Sequence, residues 1–119
     1  MGTFAVRQDA FARLVTSVMD DDGGPPRMMV AGELDLASVV VFGVDLAELI
    51  RDRGPSVVLD LSFLTFCDAR GLAALVAADR LARSRGGTIT LTGVRPHMAR
   101  ILRVTGLDRR FTPSPAAAR

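Results

Sequence analysis

The stretch that most constrains the fold is residues 57–78, VVLDLSFLTFCDARGLAALVAA, in which an apolar strand runs through a short loop into a helix. Its first residues are apolar without alternation, as expected for a strand that is covered on both faces. Asp68 is a good helix N-cap, and Gly71 and an alanine- and leucine-rich run follow it. The stretch therefore predicts a central strand, a loop over residues 62–67 and a helix that begins after Asp68. We expect the loop and the cap to form the working surface.

The residues before this unit predict two strands and a helix. Residues 13–19 have a loose apolar pattern that favours an edge strand, and residues 28–31 favour a second strand. The turn formers DDDGGPP between them indicate a hairpin with a long loop. Ser38 is then a plausible N-cap for a helix that runs to about residue 52, with one apolar stripe and with Asp45 lying off that stripe.

A second strand and helix follow the central unit. Residues 88–92, TITLT, predict a strand, and Pro96 and Gly106 mark the start and end of a further helix. Strands and helices that alternate over short loops favour parallel pairing, and the N-terminal hairpin adds antiparallel strands. The sequence therefore predicts one α/β domain, with a mixed sheet of four to five strands packed with three to four helices.

The length and the apolar runs of the chain restrict its class. The 119 residues fit one domain that buries its core without disulfides. No apolar run approaches the roughly 20 residues of a membrane span, and the start of the chain has no basic segment followed by a long apolar core. We therefore expect a soluble, cytoplasmic protein.

The residues that could carry chemistry are few and badly spaced for it. Cys67 stands alone and fits a small buried side chain, and His97 falls in the first turn of a predicted helix, where an exposed imidazole is ordinary. The DDDGGPP segment lacks the ligand spacing of a calcium loop, and no glycine run has the order of a phosphate-binding loop. The sequence predicts no enzyme activity, no cofactor and no metal site.

The charge pattern raises and then disfavours nucleic-acid binding. All fifteen basic residues are arginine and the isoelectric point is about 9.9. Residues 1–68 hold five arginines and eleven acids, a net charge of −6, whereas residues 69–119 hold ten arginines and two acids, a net charge of +8. No aromatic residues alternate with the arginines, and no helix-turn-helix pattern is present. We therefore expect solvated helix faces and no nucleic-acid partner.

Three ordered segments resemble STAS domains, particularly those of bacterial anti-sigma factor antagonists. They are GELD at residues 32–35, LDLSFLTFCDARGL at residues 59–72 and VTGLDRRF at residues 104–111. The resemblance implies a STAS-like domain over residues 12–112. The remaining residues would be an N-terminal segment, 1–11, that is weakly ordered or an edge strand, and a short C-terminal tail, 113–119.

The resemblance also implies a binding function. In that family the domain is not an enzyme; it docks on an ATP-binding anti-sigma factor that is a serine kinase and pulls it off a sigma factor. A non-switching structural or accessory STAS subunit, as in stress-signalling or lipid-transport complexes, is the alternative. A homodimer is left open.

The site implied by the resemblance comprises Asp35, Asp68, Ala69 and Arg70. The family's kinase phosphorylates a serine directly after the aspartate that begins the central helix, but here Asp68 is followed by Ala69, and Arg70 replaces a frequent second serine. Because Ala69 has no hydroxyl, we expect no phosphorylation switch at that position. Asp35 is a docking residue or a turn residue, Asp68 can both cap and dock, and Arg70 either pairs with a partner acid or is solvated.

Overall fold

A computed structural model of the chain describes residues 4–8, 13–19 and 23–113. The strands are β1 (Phe4–Gln8), β2 (Leu14–Met19), β3 (Arg27–Leu34), β4 (Val57–Asp60), β5 (Leu64–Cys67), β6 (Ile89–Thr92) and β7 (Thr112–Pro113). The helices are α1 (Val39–Arg53), α2 (Ala69–Ser84) and α3 (Pro96–Thr105), and a 3₁₀ turn, Leu107–Arg109, follows α3. The aspartates at 20–22 and the tail after residue 113 lie outside the described residues.

All strands belong to one mixed sheet in the order β1-β2-β3-β4-β6-β7, with β5 also paired to β3. The pairs β1–β2 and β2–β3 are antiparallel, and all others are parallel. Since β2 occupies one edge of β3, β4 and β5 follow each other along its other edge. The prediction of an α/β fold with a mixed sheet, packed helices and parallel crossovers is confirmed.

Two details of the sheet differ from the sequence prediction. Residues 14–19 do not form an edge strand, because β1 pairs with β2 over five residue pairs, from Phe4 with Met19 to Gln8 with Val15. Residues 64–67 are not a loop but strand β5, because their backbone pairs with the end of β3 beyond the point where β4 stops. The loop before α2 is therefore shorter than predicted.

The core lies between the sheet and the apolar faces of the helices. From the helices it takes the side chains Phe42, Leu46, Leu49, Ile50, Leu75, Ala78, Ala82, Met98 and Leu102. The prediction that Asp45 lies away from the buried face is wrong, because its side chain is buried and accepts a hydrogen bond of 2.9 Å from the Thr16 hydroxyl of β2. Asp79 in α2 is also fully buried.

The predicted helix boundaries agree with the structure, but one predicted cap does not. The Ser38 side chain makes no capping bond to α1. Its hydroxyl donates 2.8 Å to the Glu33 carbonyl oxygen and accepts 3.0 Å from the Asp35 amide. Ser38 therefore stabilises the turn between β3 and α1. At α3, Pro96 and Gly106 act as predicted, and Gly106 adopts a left-handed conformation with φ of 77°.

Candidate functional site

The parallel pairing of β3 with β5 brings Asp35 and Asp68 to the same edge of the sheet. Leu34 and Cys67 are register partners at the strand ends, and an aspartate follows each of them. The Asp68 amide donates a 3.3 Å hydrogen bond to the Leu34 carbonyl oxygen. Asp35 Oδ1 accepts 3.0 Å from the Ala37 amide, so this side chain orders the turn before α1. Its predicted turn role is confirmed, and a docking role stays a prediction.

Asp68 caps α2, as the sequence predicts. Its Oδ1 accepts a 2.9 Å hydrogen bond from the Gly71 amide, which satisfies one of the free N–H groups of the first turn. Gly71 also lets this turn approach the sheet closely. A Cβ there would overlap the Leu34 carbonyl oxygen and lie 2.7 Å from Cys67 Sγ. The cap and the glycine therefore fix the start of α2 against the ends of β3 and β5.

Ala69 and Arg70, the first two residues of α2, are both exposed. Among the described residues, Arg70 has no ion pair or hydrogen bond, so its guanidinium is available to a partner. The arrangement has Ala69 and Arg70 at the surface and Asp68 half-buried beneath them. All four predicted site residues thus lie at the carboxyl edge of β3 and β5, three of them in sequence at the start of α2.

Sequence reasoning missed an apolar surface beside these residues. Leu36, Val40 and Val44 expose 61%, 72% and 47% of their area on the turn before α1 and on its outer face. Behind them, a groove of about 200 Å³ separates α1 from α2; it is lined by Val39, Gly43, Leu46, Ala47, Ala74, Ala77, Ala78 and Leu81. The signal was the run at 39–41, which is apolar on more than one side of the helix. The candidate docking surface comprises Asp35, Leu36, Val40, Ala69 and Arg70.

The family follows from comparison with known proteins. The family model described as "Mlab, STAS domain" matches residues 17–113, most of the chain. The chain belongs to the STAS domain family. Its fold, with a mixed sheet and the start of α2 at the sheet's carboxyl edge, agrees with that assignment.

Named relatives of this STAS domain are anti-sigma factor antagonists. A Bacillus subtilis anti-sigma-B factor antagonist is 27% identical over 78 residues, which cover 66% of this chain and 71% of that protein. The crystal structure of an anti-sigma factor antagonist from Mycobacterium paratuberculosis has a TM-score of 0.71 and 27% identity, covering 92% and 91% of the two chains. RsbS from Moorella thermoacetica has a TM-score of 0.62 and 31% identity, covering 82% and 83%. The chain is an anti-sigma factor antagonist-like STAS domain, a type of protein that regulates by binding.

The Cys67 thiol of this STAS domain is held in its neutral form. Burial, and to a lesser extent the nearby Asp68 carboxylate, raise its pKa from 9.0 to about 12. Cys67 is therefore the small buried side chain that the sequence predicts, and at neutral pH it carries almost no nucleophilic thiolate.

The described residues contain neither a metal centre nor a helix that could cross a membrane. No three of their His, Cys, Asp and Glu side chains are grouped closely enough to hold a metal ion. The helices in the described part of the chain are too short or too polar to span a bilayer. His97 is exposed in the first turn of α3, where the sequence predicts it.

Proposed function

We propose that this STAS domain docks on an ATP-binding anti-sigma factor of the serine-kinase type through the candidate docking surface. We further propose that Ala69 makes the contact insensitive to phosphorylation at that position. The anti-sigma factor would then be antagonised constitutively, and control would come through the abundance of this domain or another input. The observation that carries the proposal is the exposure of Ala69 and Arg70 at the start of a rigidly capped helix.

The chemistry of the surface suits a protein partner. Exposed Leu36 and Val40 supply apolar area that a partner can cover, and Asp35 and Arg70 supply one charge of each sign at its rim. Charges at a rim steer association and set orientation, and buried apolar area supplies more of the affinity.

The hydroxyl groups near Ala69 are engaged within the domain. Between residues 62 and 72 only Ser62 and Thr65 carry a hydroxyl. The Ser62 hydroxyl donates 2.6 Å to Asp60 Oδ1, and the Thr65 hydroxyl donates 3.0 Å to the Gly32 carbonyl oxygen. Transfer of a phosphoryl group to either would break that bond, which supports a surface without a phosphorylation switch.

Charge reversal at Arg70 tests the docking proposal. We expect Arg70→Glu to weaken binding to an ATP-binding anti-sigma factor from the same genome by at least about tenfold, because the guanidinium is exposed at the start of α2 and the substitution places a like charge against its acidic partner. Isothermal titration calorimetry gives the dissociation constants.

The matched control is Arg100→Glu, which makes the same charge change at an exposed residue of α3. It should change the dissociation constant by less than about threefold, a difference within the range of screened surface charges. Equal weakening by both variants, or by neither, would contradict docking through the start of α2.

A second candidate function is that of an accessory STAS subunit held permanently in a stress-signalling or lipid-transport complex. The exposed apolar residues Leu36, Val40 and Val44 favour it, since permanent interfaces are more apolar than transient ones. This function predicts that the chain co-purifies in a large assembly that survives gel filtration and does not bind an ATP-binding anti-sigma factor.

A further inference from the structure

A buried carboxylate beneath the far end of α2 positions two arginines at the surface. Asp79 is fully buried, and its two carboxylate oxygens accept hydrogen bonds of 3.1 and 2.9 Å from Arg83 Nε. Arg110 Nε lies 2.8 Å from Asp79 Oδ2, an ion pair without hydrogen-bond alignment. Arg83 Nη2 also donates 2.9 Å to the Arg110 carbonyl oxygen. The two guanidinium groups are thus held in place from below.

These arginines line an open depression on the surface. Its volume is about 460 Å³, and its walls are Arg83, Gly106, Leu107, Arg109 and Arg110. The side chains of Arg83 and Arg110 remain 52% and 31% exposed. Among the described residues, Arg83 Nη1, both terminal nitrogens of Arg110 and the whole Arg109 guanidinium have no acceptor. The depression therefore presents a group of unused, cationic N–H donors.

The charge of the depression is positive, since three guanidinium groups face one carboxylate, a net charge of +2. The next acid along the chain, Asp108, lines a neighbouring cavity together with Arg103, and these two opposite charges offset each other. A ligand that neutralises the depression is thus a dianion with several acceptor oxygens. Arginine donors match such oxygens in pairs, and phosphate is the common biological group with this charge and geometry.

We propose that this depression binds the dianionic phosphate group of free phosphate or of a phosphate monoester. Arg83 and Arg110 are positioned by Asp79, and Arg109 completes the site without a structural bond of its own. The site is separate from the candidate docking surface, because Arg83 lies about 21 Å along α2 from Ala69 at 1.5 Å per residue. Its test is therefore independent of anti-sigma factor binding.

Titration of the whole, isotope-labelled chain with inorganic phosphate at pH 8 and constant ionic strength tests the proposal by NMR. We expect saturable amide shifts at residues 83 and 106–110, with none from acetate at the same ionic strength. Arg109→Gln should raise the dissociation constant for phosphate at least about fivefold, since it removes charge-assisted hydrogen bonds. Its thermal unfolding midpoint without phosphate should equal that of the wild type.

Arg100→Gln is the matched control, because Arg100 is exposed on α3 and does not line the depression. It should leave the dissociation constant within about twofold, the effect of a screened remote charge. Unsaturable shifts, the same shifts with acetate, or equal weakening by both variants would overturn the proposal and leave the three arginines a role in folding alone.

A second titration, with N-acetyl-phosphoserine amide, distinguishes the source of the group. Tighter binding than that of inorganic phosphate assigns the site to a phosphate monoester, and equal or weaker binding assigns it to the free ion. If neither compound binds, the proposal is wrong.

Discussion

At the scale of single residues, Cys67 determines how the protein responds to alkaline pH. The chain has no lysine and no tyrosine, so in the folded state only the Cys67 thiol titrates between the α-amino group and the arginines. Burial raises its pKa from 9.0 to about 12. Above pH 9 the unfolded chain thus binds fewer protons than the folded one. We expect the free energy of unfolding to fall by about 1.4 kcal/mol per pH unit there, and to be independent of this group below pH 9.

Urea unfolding at pH 8, 9.5 and 10.5 measures this slope. The variant Cys67→Ala should lose the alkaline slope, although the loss of packing lowers its free energy of unfolding at every pH. The variant His97→Gln changes an exposed titratable residue and should keep the slope. An alkaline slope that persists unchanged in Cys67→Ala would show that another group is responsible.

Sequence reasoning succeeded at residues whose roles are local. The Asp68 cap bonds to an amide three residues ahead, and its residue type states that preference. The buried acids were missed because their partners are distant in sequence: Asp45 bonds to Thr16, and Asp79 pairs with Arg110. Ser38 failed as a cap because a carbonyl of β3 takes its hydroxyl instead. Capping preference cannot anticipate a competing acceptor that only the fold provides.

At the scale of elements, Asp79 joins α2 to the turn after α3. We expect Asp79→Asn to lower the free energy of unfolding by about 2–3 kcal/mol, because it leaves Arg83 and the less exposed Arg110 without their counter-charge. The lower half of the usual range for a buried pair applies, since Arg83 is half-exposed. Urea unfolding at pH 7 measures the difference.

The control for Asp79→Asn is Asp52→Asn at the end of α1. Asp52 accepts from Arg51 Nε at 3.1 Å, but both side chains are more than half exposed, at 61% and 64%. Exposed pairs contribute little, so this variant should change the free energy of unfolding by less than about 0.5 kcal/mol. Similar losses in both variants would mean that burial of Asp79 does not set its contribution.

The elements themselves show what a sequence pattern can predict. The start and end of α2 and α3 were predictable because N-caps, proline and glycine act within one turn. Strand β5 was not, because four residues with only their ends buried have no distinct periodicity. It is a strand because β4 stops short of the end of β3 and leaves backbone groups there for residues 64–67 to pair with.

At the scale of the whole molecule, the structure combines a site accessible to partners with a residue that cannot be modified. Ala69 is exposed, at the start of a helix whose free N–H groups favour a nearby negative charge. We predict that Ala69→Ser creates a phosphorylation site for the ATP-binding anti-sigma factor that the domain binds. Phosphorylation adds up to about two negative charges and should weaken binding at least about tenfold, by repelling the acidic partner of Arg70.

Intact-mass measurement after incubation with that anti-sigma factor and ATP tests the prediction. The variant Ala69→Ser should gain one phosphoryl group, and the wild type should gain none. The control Ala73→Ser places a hydroxyl on an exposed position of α2 one turn further on and should stay unmodified, because kinase transfer requires the hydroxyl at the docked end of the helix. Modification of the wild type at Ser62 or Thr65 would contradict a surface without a switch. An unmodified Ala69→Ser variant that still binds would mean that the partner does not bring its nucleotide to the start of α2.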